Sequence, residues 1–204
     1  MDSFEARARA RGFLTVAGVD EAGRGPLAGP VMAAAVVLPP GFTRPEIRDS
    51  KALSPKARER AFFLITSNAL AFAVGHSTPE EIDRINILKA SLLAMRRAVE
   101  KLSPVPDFLY IDGNHTIPPA EGGPWGSIRQ EPIVSGDTRC VSVMAASILA
   151  KVTRDRLMLE YDRVYPGYGF ASHKGYPTKA HLAALAVLGP SPIHRKTFRG
   201  VLPG

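Results

Sequence analysis

Across 204 residues the chain has one cysteine, Cys140. It can form no internal disulfide and no thiolate metal cage, and Cys140 is expected to be a small core residue rather than a nucleophile. No run is long and apolar enough to span a membrane. The stretch Met1-Asp-Ser-Phe-Glu-Ala-Arg carries acids where a signal peptide has an apolar segment. These absences predict a cytoplasmic protein with no membrane contact, monomeric or weakly associated. Several catalytic signatures are also missing. There is no Gly-x-Ser-x-Gly elbow, no Gly-Lys-[Ser/Thr] phosphate loop and no His-Glu-x-x-His zinc spacing. Gly23-Arg-Gly-Pro-Leu-Ala-Gly29 is not a dinucleotide fingerprint, because its third glycine comes one place late and Pro26 intrudes.

What is present fits one well-cored α/β domain over residues 1–204, with 45% apolar and 22% charged residues. The formal charge of +7 suits a polyanionic partner such as nucleic acid, although a basic surplus alone also fits a merely basic protein. The organising stretch runs from Val16 to Leu38. Two short apolar runs, Phe13–Val19 and Val31–Leu38, read as buried strands. Between them stand Asp20 and Glu21, then a Gly23-Arg24-Gly25-Pro26 turn. Adjacent carboxylates at the end of a buried strand are costly unless a cation meets them. The glycines would let backbone approach a ligand closely, and Arg24 adds a charge.

The same design recurs downstream. Phe108–Ile111 reads as a strand delivering Asp112, and a short Ile133-Val134 strand leads to Asp137. If the first and fourth strands are neighbours, Asp20, Glu21 and Asp112 converge outside the carboxyl ends of the sheet. Asp137 precedes a helix expected over Cys140–Tyr161, where it could cap the helix or hold a metal. Asp155 is the rival fourth acid, but it reads as a surface partner of Arg154 or Arg156. Further helices are expected after Ser54-Pro55, to about Asn68, and from the Thr78/Glu81 capping box as one apolar stripe to Leu102. Leu70–Gly75 reads as a strand and Thr178–Leu188 as a last helix. Asn114–Pro132 reads as an exposed loop. His173–Thr178 interleaves cations and aromatics, which suits a phosphodiester backbone, and His194-Arg195-Lys196 reads as a further basic cluster.

A carboxylate cluster selects Mg²⁺ or Mn²⁺ over Zn²⁺, and two such ions can stabilise both the attacking and the leaving oxygen of a phosphodiester. The chemistry therefore points to a metal-dependent nuclease or phosphotransferase. A non-catalytic nucleic-acid binder and a junction-resolvase or integrase-like nuclease are the alternatives.

The motif string then carries a resemblance. Gly18-Val-Asp-Glu-Ala-Gly-Arg-Gly-Pro-Leu-Ala-Gly-Pro-Val resembles the opening signature of ribonuclease HII. Asp49-Ser-Lys-Ala-Leu-Ser, Glu81-Ile-Asp-Arg-Ile-Asn-Ile-Leu, Ile111-Asp-Gly, Ala145-Ala-Ser-Ile-Leu-Ala-Lys-Val-Thr-Arg-Asp, His173-Lys-Gly-Tyr and Gly189-Pro-Ser-Pro-Ile-His-Arg follow in the family's order. The resemblance implies a ribonuclease H-like fold: a central mixed sheet flanked by helices, with a core over about 13–165 and a helical, substrate-binding C-terminal segment over about 166–204. It implies cleavage of RNA in RNA–DNA hybrids and incision 5′ to ribonucleotides embedded in duplex DNA, as in ribonucleotide excision repair. Asp20, Glu21, Asp112 and Asp137 would hold two Mg²⁺ or Mn²⁺ ions. The Gly23-Arg24-Gly25 backbone and the Tyr176 phenol would sense a 2′-hydroxyl, and Lys51, Lys151 and Lys174 would meet phosphates.

Overall fold

The computed structural model describes residues 3–119 and 124–202. Its centre is a five-stranded sheet of β1 (Val16–Ala22), β2 (Val31–Val37), β3 (Ala71–Ser77), β4 (Phe108–Asp112) and β5 (Arg129–Ile133). The spatial order is β3-β2-β1-β4-β5. β1 and β2 form an antiparallel hairpin, β3 pairs antiparallel with β2, and β4 and β5 run parallel to β1. The sheet is therefore mixed, and β1 is central. β1 runs from Val16 to Ala22 rather than from Phe13 to Val19, so Asp20 and Glu21 belong to the strand itself.

Helices α1 (Phe4–Ala10), α2 (Pro55–Asn68), α3 (Pro79–Ile85) and α4 (Ile87–Glu100) precede or interrupt the strands. α5 (Gly136–Arg139), α6 (Val141–Val164), α7 (Phe170–His173) and α8 (Lys179–Leu188) follow them. Side chains alternate across the sheet with period two. Ala17, Val19, Val31, Ala33 and Ala35 face α4, meeting Ala90, Ala94, Met95 and Ala98. Ala34 and Val36 face α6, meeting Ala145, Ala146, Ile148 and Leu149. Small residues bring both helices close. An added Cβ on Gly18 would lie 2.2 Å from the Ser142 carbonyl carbon, and one on Gly75 would lie 2.3 Å from the Ala94 oxygen.

α2 begins and ends as its sequence predicts, with Ser54 capping Ala57 N–H. The Thr78/Glu81 capping box also forms. The stripe from Ile82 to Leu102 is not one helix, however. Asn86 adopts φ 68°, and its side chain accepts from Lys89 N–H to start α4 afresh. Asparagine tolerates positive φ and competes locally for backbone donors, so it ends one helix and caps the next.

Two other expectations change. The 114–132 stretch is not simply an exposed loop, because Ile117, Trp125 and Ile128 are buried in the α4-side core and residues 129–132 lie in β5. Residues 120–123 of that stretch fall outside the described residues. The expected helix from Cys140 runs on to Val164, preceded by the single turn of α5. Cys140 is buried, as expected. Its thiol and the N–H and hydroxyl of Ser142 all donate to Glu5 of α1, so the N-terminal helix supplies the cap that α6 lacks from its own sequence.

Gly18→Ala should force α6 away from β1. Overpacking costs about 1–3 kcal/mol, so thermal unfolding of the variant should come several degrees below wild type. An unchanged melting temperature would show that the β1–α6 contact is slack.

Candidate active site

The strand register sets the site. Val19 pairs with Ile111 in the parallel β1–β4 ladder, so Asp20 and Asp112 stand next to one another at the carboxyl ends of their strands. By alternation both lie on the α6 side, and Glu21 lies on the α4 side of the same rim. Asp137 is added from the first turn of α5, which follows β5. Asp112 Oδ1 accepts from Gly136 N–H at 2.7 Å and Asp137 N–H at 3.3 Å, tying α5 to the end of β4. Gly136 fits because an added Cβ would stand 3.3 Å from that same oxygen. The acids line one cavity of about 270 Å³ together with Ser50, Lys51, Ser147, Lys151, Tyr176 and the Gly23–Gly25 loop. The structure thus brings together all the acids expected from the sequence.

Asp20 is 3% exposed. Burial, followed by the charges of Glu21 and Asp112, holds its carboxyl well above the usual carboxylate range. The Ser147 hydroxyl and the Glu21 N–H, at 2.7 Å, pull the other way, as does the charge of Lys51. Burial also raises Glu21, with Arg24 offsetting part of the effect through an ion pair at 3.2 Å. Asp112 is raised by burial and then by the charge of Asp137. Lys51 donates to Asp137 at 3.0 Å while most of its side chain stays exposed, and that bond raises the lysine. Among the described residues no group of three acids, imidazoles or thiols closes into a ready-made metal cage. The donor set nevertheless fits hard divalent cations: it is all carboxylate and crowded.

The acids share that cavity with the Gly23–Gly25 loop and Tyr176. An added Cβ on Gly25 would find only the Tyr176 ring, at 3.8 Å. Gly23 also has a packing reason to be bare, since a Cβ there would lie 2.1 Å from Arg154 Nε. Tyr176 is 41% exposed. Lys151 Nζ lies 5.8 Å from its ring centre while pairing with Asp155 at 2.7 Å. Asp155 is therefore a partner of Lys151, not of Arg154 or Arg156, and it lies outside the acid cavity. Lys174 is outside that cavity too. It borders an adjoining groove of about 670 Å³ with Lys151 and Tyr176, and its ammonium donates to the Ala171 carbonyl.

The expected basic cluster at 194–196 is mostly interior, since His194 and Arg195 are buried. His194 belongs to a hydrogen-bonded run that ends behind Tyr176. Ser191 N–H donates to His194 Nδ1 at 2.9 Å, the two Nε2 atoms of His194 and His181 are 3.1 Å apart, and His181 Nδ1 meets the Tyr176 carbonyl at 2.9 Å. A carbonyl only accepts and an amide only donates, so each imidazole is neutral with its proton on a fixed nitrogen. Sequence reasoning missed Ser147, Arg154 and Arg195. The available signals were a serine inside the apolar Met144–Ala150 run and arginines inside otherwise matched motifs.

A family model described as Ribonuclease HII matches residues 17–201. Ribonuclease HII of Geobacter sulfurreducens is 58% identical over 198 residues, covering 97% of this chain and 88% of that protein. Ribonuclease HII of Syntrophotalea carbinolica is 52% identical, covering 97% and 91%. Among solved structures, ribonuclease H2 from Pyrococcus horikoshii OT3 superposes with a TM-score of 0.74 at 28% identity, covering 92% of this chain and 95% of that one. The chain belongs to the ribonuclease HII family, has the ribonuclease H-like fold, and is a metal-dependent endonuclease that hydrolyses phosphodiester bonds.

The raised carboxyls give a stability test. Asp20 binds its proton more tightly folded than unfolded, so metal-free stability falls as pH rises from about 4 through the raised folded pKa. Asp20→Asn should therefore melt higher than metal-free wild type at pH 7.5, by at least about 2 °C, the shift given by roughly 1 kcal/mol in a domain of this size. The advantage should vanish near pH 4. Millimolar Mg²⁺ or Mn²⁺ should raise the melting temperature of wild type more than that of the variant. A variant less stable than wild type at pH 7.5 would show that Asp20 is not under strain.

Proposed function

We propose that the chain cleaves the RNA strand of RNA–DNA hybrids and incises duplex DNA 5′ to single embedded ribonucleotides, leaving 3′-hydroxyl and 5′-phosphate ends. One observation carries this reading: Asp20, Glu21, Asp112 and Asp137 share a single cavity with the Gly23–Gly25 loop and Tyr176. Acids suited to divalent ions and a loop suited to a sugar lie within one small cleft. A phosphate binder without catalysis would gain nothing from buried carboxylates at its mouth, because they repel its ligand.

Two Mg²⁺ or Mn²⁺ ions held by the four carboxylates would activate water and stabilise the leaving 3′-oxygen. The chain does the remaining work. Ser147 and the Glu21 N–H hold the Asp20 carboxylate in one orientation. The N–H groups of Gly136 and Asp137 do the same for Asp112. Discrimination against DNA requires contact with a 2′-hydroxyl, and the Gly23-Arg24-Gly25 backbone and the Tyr176 phenol are the groups that make it, with the Tyr176 ring lying on the next sugar. Lys51, Lys151 and Lys174 neutralise phosphates along the strand. On this reading the enzyme works as a cytoplasmic monomer in ribonucleotide excision repair.

A duplex DNA carrying one ribonucleotide should be nicked 5′ to it with Mg²⁺ or Mn²⁺ and left intact with chelator, while the all-DNA duplex stays uncut. No metal-dependent nick would defeat the proposal, and equal cutting of all-DNA would point to a resolvase-like nuclease. Tyr176→Ala should lower kcat/KM on the ribonucleotide duplex by about 10–100-fold, that is roughly 1.4–2.7 kcal/mol of transition-state stabilisation. Affinity for all-DNA duplex should change much less. Equal losses would reduce Tyr176 to a packing residue.

A further inference from the structure

Arg195 is fully buried and has no carboxylate partner among the described residues. Its guanidinium spends itself on one stretch of main chain. Nε donates to the Gly29 carbonyl at 3.0 Å, Nη1 to Arg24 at 2.8 Å and Nη2 to Gly23 at 2.5 Å. Its own N–H donates to Leu27, and the Phe198 ring lies 5.0 Å from the guanidinium carbon. Burying a charge against neutral carbonyls is an expensive way to fasten a loop. What a guanidinium adds is a rigid planar fork that holds two acceptors at a fixed separation.

The two acceptors it holds belong to successive peptide planes. In a trans peptide the C=O and N–H of one plane point in opposite directions. With the Gly23 and Arg24 carbonyls drawn towards Arg195, the N–H groups of Arg24 and Gly25 turn the other way. That other side is the cavity lined by Asp20, Glu21 and Tyr176, which Arg195 does not reach. Neither N–H has an acceptor among the described residues. Arg154, the second buried guanidinium, does not do this job. It packs against Gly23 but bonds the carbonyls of Ala28, Pro30 and Lys174, not those of Gly23 and Arg24.

We infer that Arg195 is a positioning residue for ribose recognition: by gripping the Gly23 and Arg24 carbonyls from the buried side, it aims two successive main-chain N–H groups at the 2′-hydroxyl of the ribonucleotide. This deepens the proposed function and rests on its reading of the Gly23–Gly25 loop as a sugar sensor. Arg195 is buried outside the cavity lining, so its removal should affect discrimination rather than duplex affinity.

Binding in an uncleaving Asp20→Asn background separates these effects. With Mg²⁺ present, Kd is measured for a labelled duplex carrying one ribonucleotide and for the all-DNA duplex of the same sequence. The parent should prefer the ribonucleotide duplex. Adding Arg195→Lys, which keeps the charge and loses the fork, or Arg195→Gln, which removes the buried charge, should shrink that preference by about tenfold, roughly the worth of one or two such hydrogen bonds. All-DNA affinity should stay within about twofold. A parent with no preference would sink the sugar-sensor reading before Arg195 is touched, and this inference with it. A folded Arg195 variant that keeps the parent's ratio would overturn the inference alone. If both variants lose cooperative thermal unfolding, the residue supports the whole domain and the positioning role is likewise overturned.

Discussion

Desolvation of crowded carboxylates, with the mutual repulsion that accompanies it, is the constraint around which the molecule is arranged. Asp20, Glu21 and Asp112 lie within one another's field at a rim where little water offsets their charge. Nothing in the sheet core relieves that repulsion. The chain instead holds it in place: the parallel β1–β4 ladder fixes the spacing, Ser147 reaches Asp20 from α6, and two N–H groups of α5 fasten Asp112. Lys51 and Arg24 approach from outside, Lys51 bound to Asp137 and Arg24 to Glu21. A folded state that tolerates such crowding gives a divalent cation a large electrostatic reason to bind, which is what metal-assisted phosphodiester hydrolysis requires.

Much of this could be read from the amino acids because local chemistry decides it. The Ser54 and Thr78 caps work within a few residues of themselves, and the acids follow short apolar runs that already place them near strand ends. The break at Asn86 was less legible, since the apolar spacing continues through it while one backbone conformation does not. Trp125, Ile117 and Ile128 sit in a proline- and glycine-rich stretch that looks like surface, and only the tertiary fold turns them into core. Arg154 and Arg195 mislead most. Arginine is ordinarily exposed, and its burial here depends on carbonyls more than a hundred residues away in the chain.

Those long reaches join regions that look separate in sequence. The Gly23–Pro30 loop meets the 168–176 region through Leu27 N–H on the Gly175 carbonyl, and the C-terminal segment through Gly29 N–H on Ile193. Gly175 has no room for a side chain, since an added Cβ would lie 2.6 Å from the Ala28 oxygen. The C-terminal helices are thus not an appendage to the sheet. They form the back of the loop that faces the acids, so the two sides of the cleft are set by one continuous network.

The imidazole run behind Tyr176 has a consequence for how the protein responds to acidity. Burial keeps His194 down at about 4, and His181 is lowered as well. Over the neutral range neither ring gains a proton, so the latch from Ser191 to the tyrosine loop stays closed while the surroundings change. Neither of these two rings therefore adds a limb near neutrality to a rate profile, as an ordinary histidine in their place would.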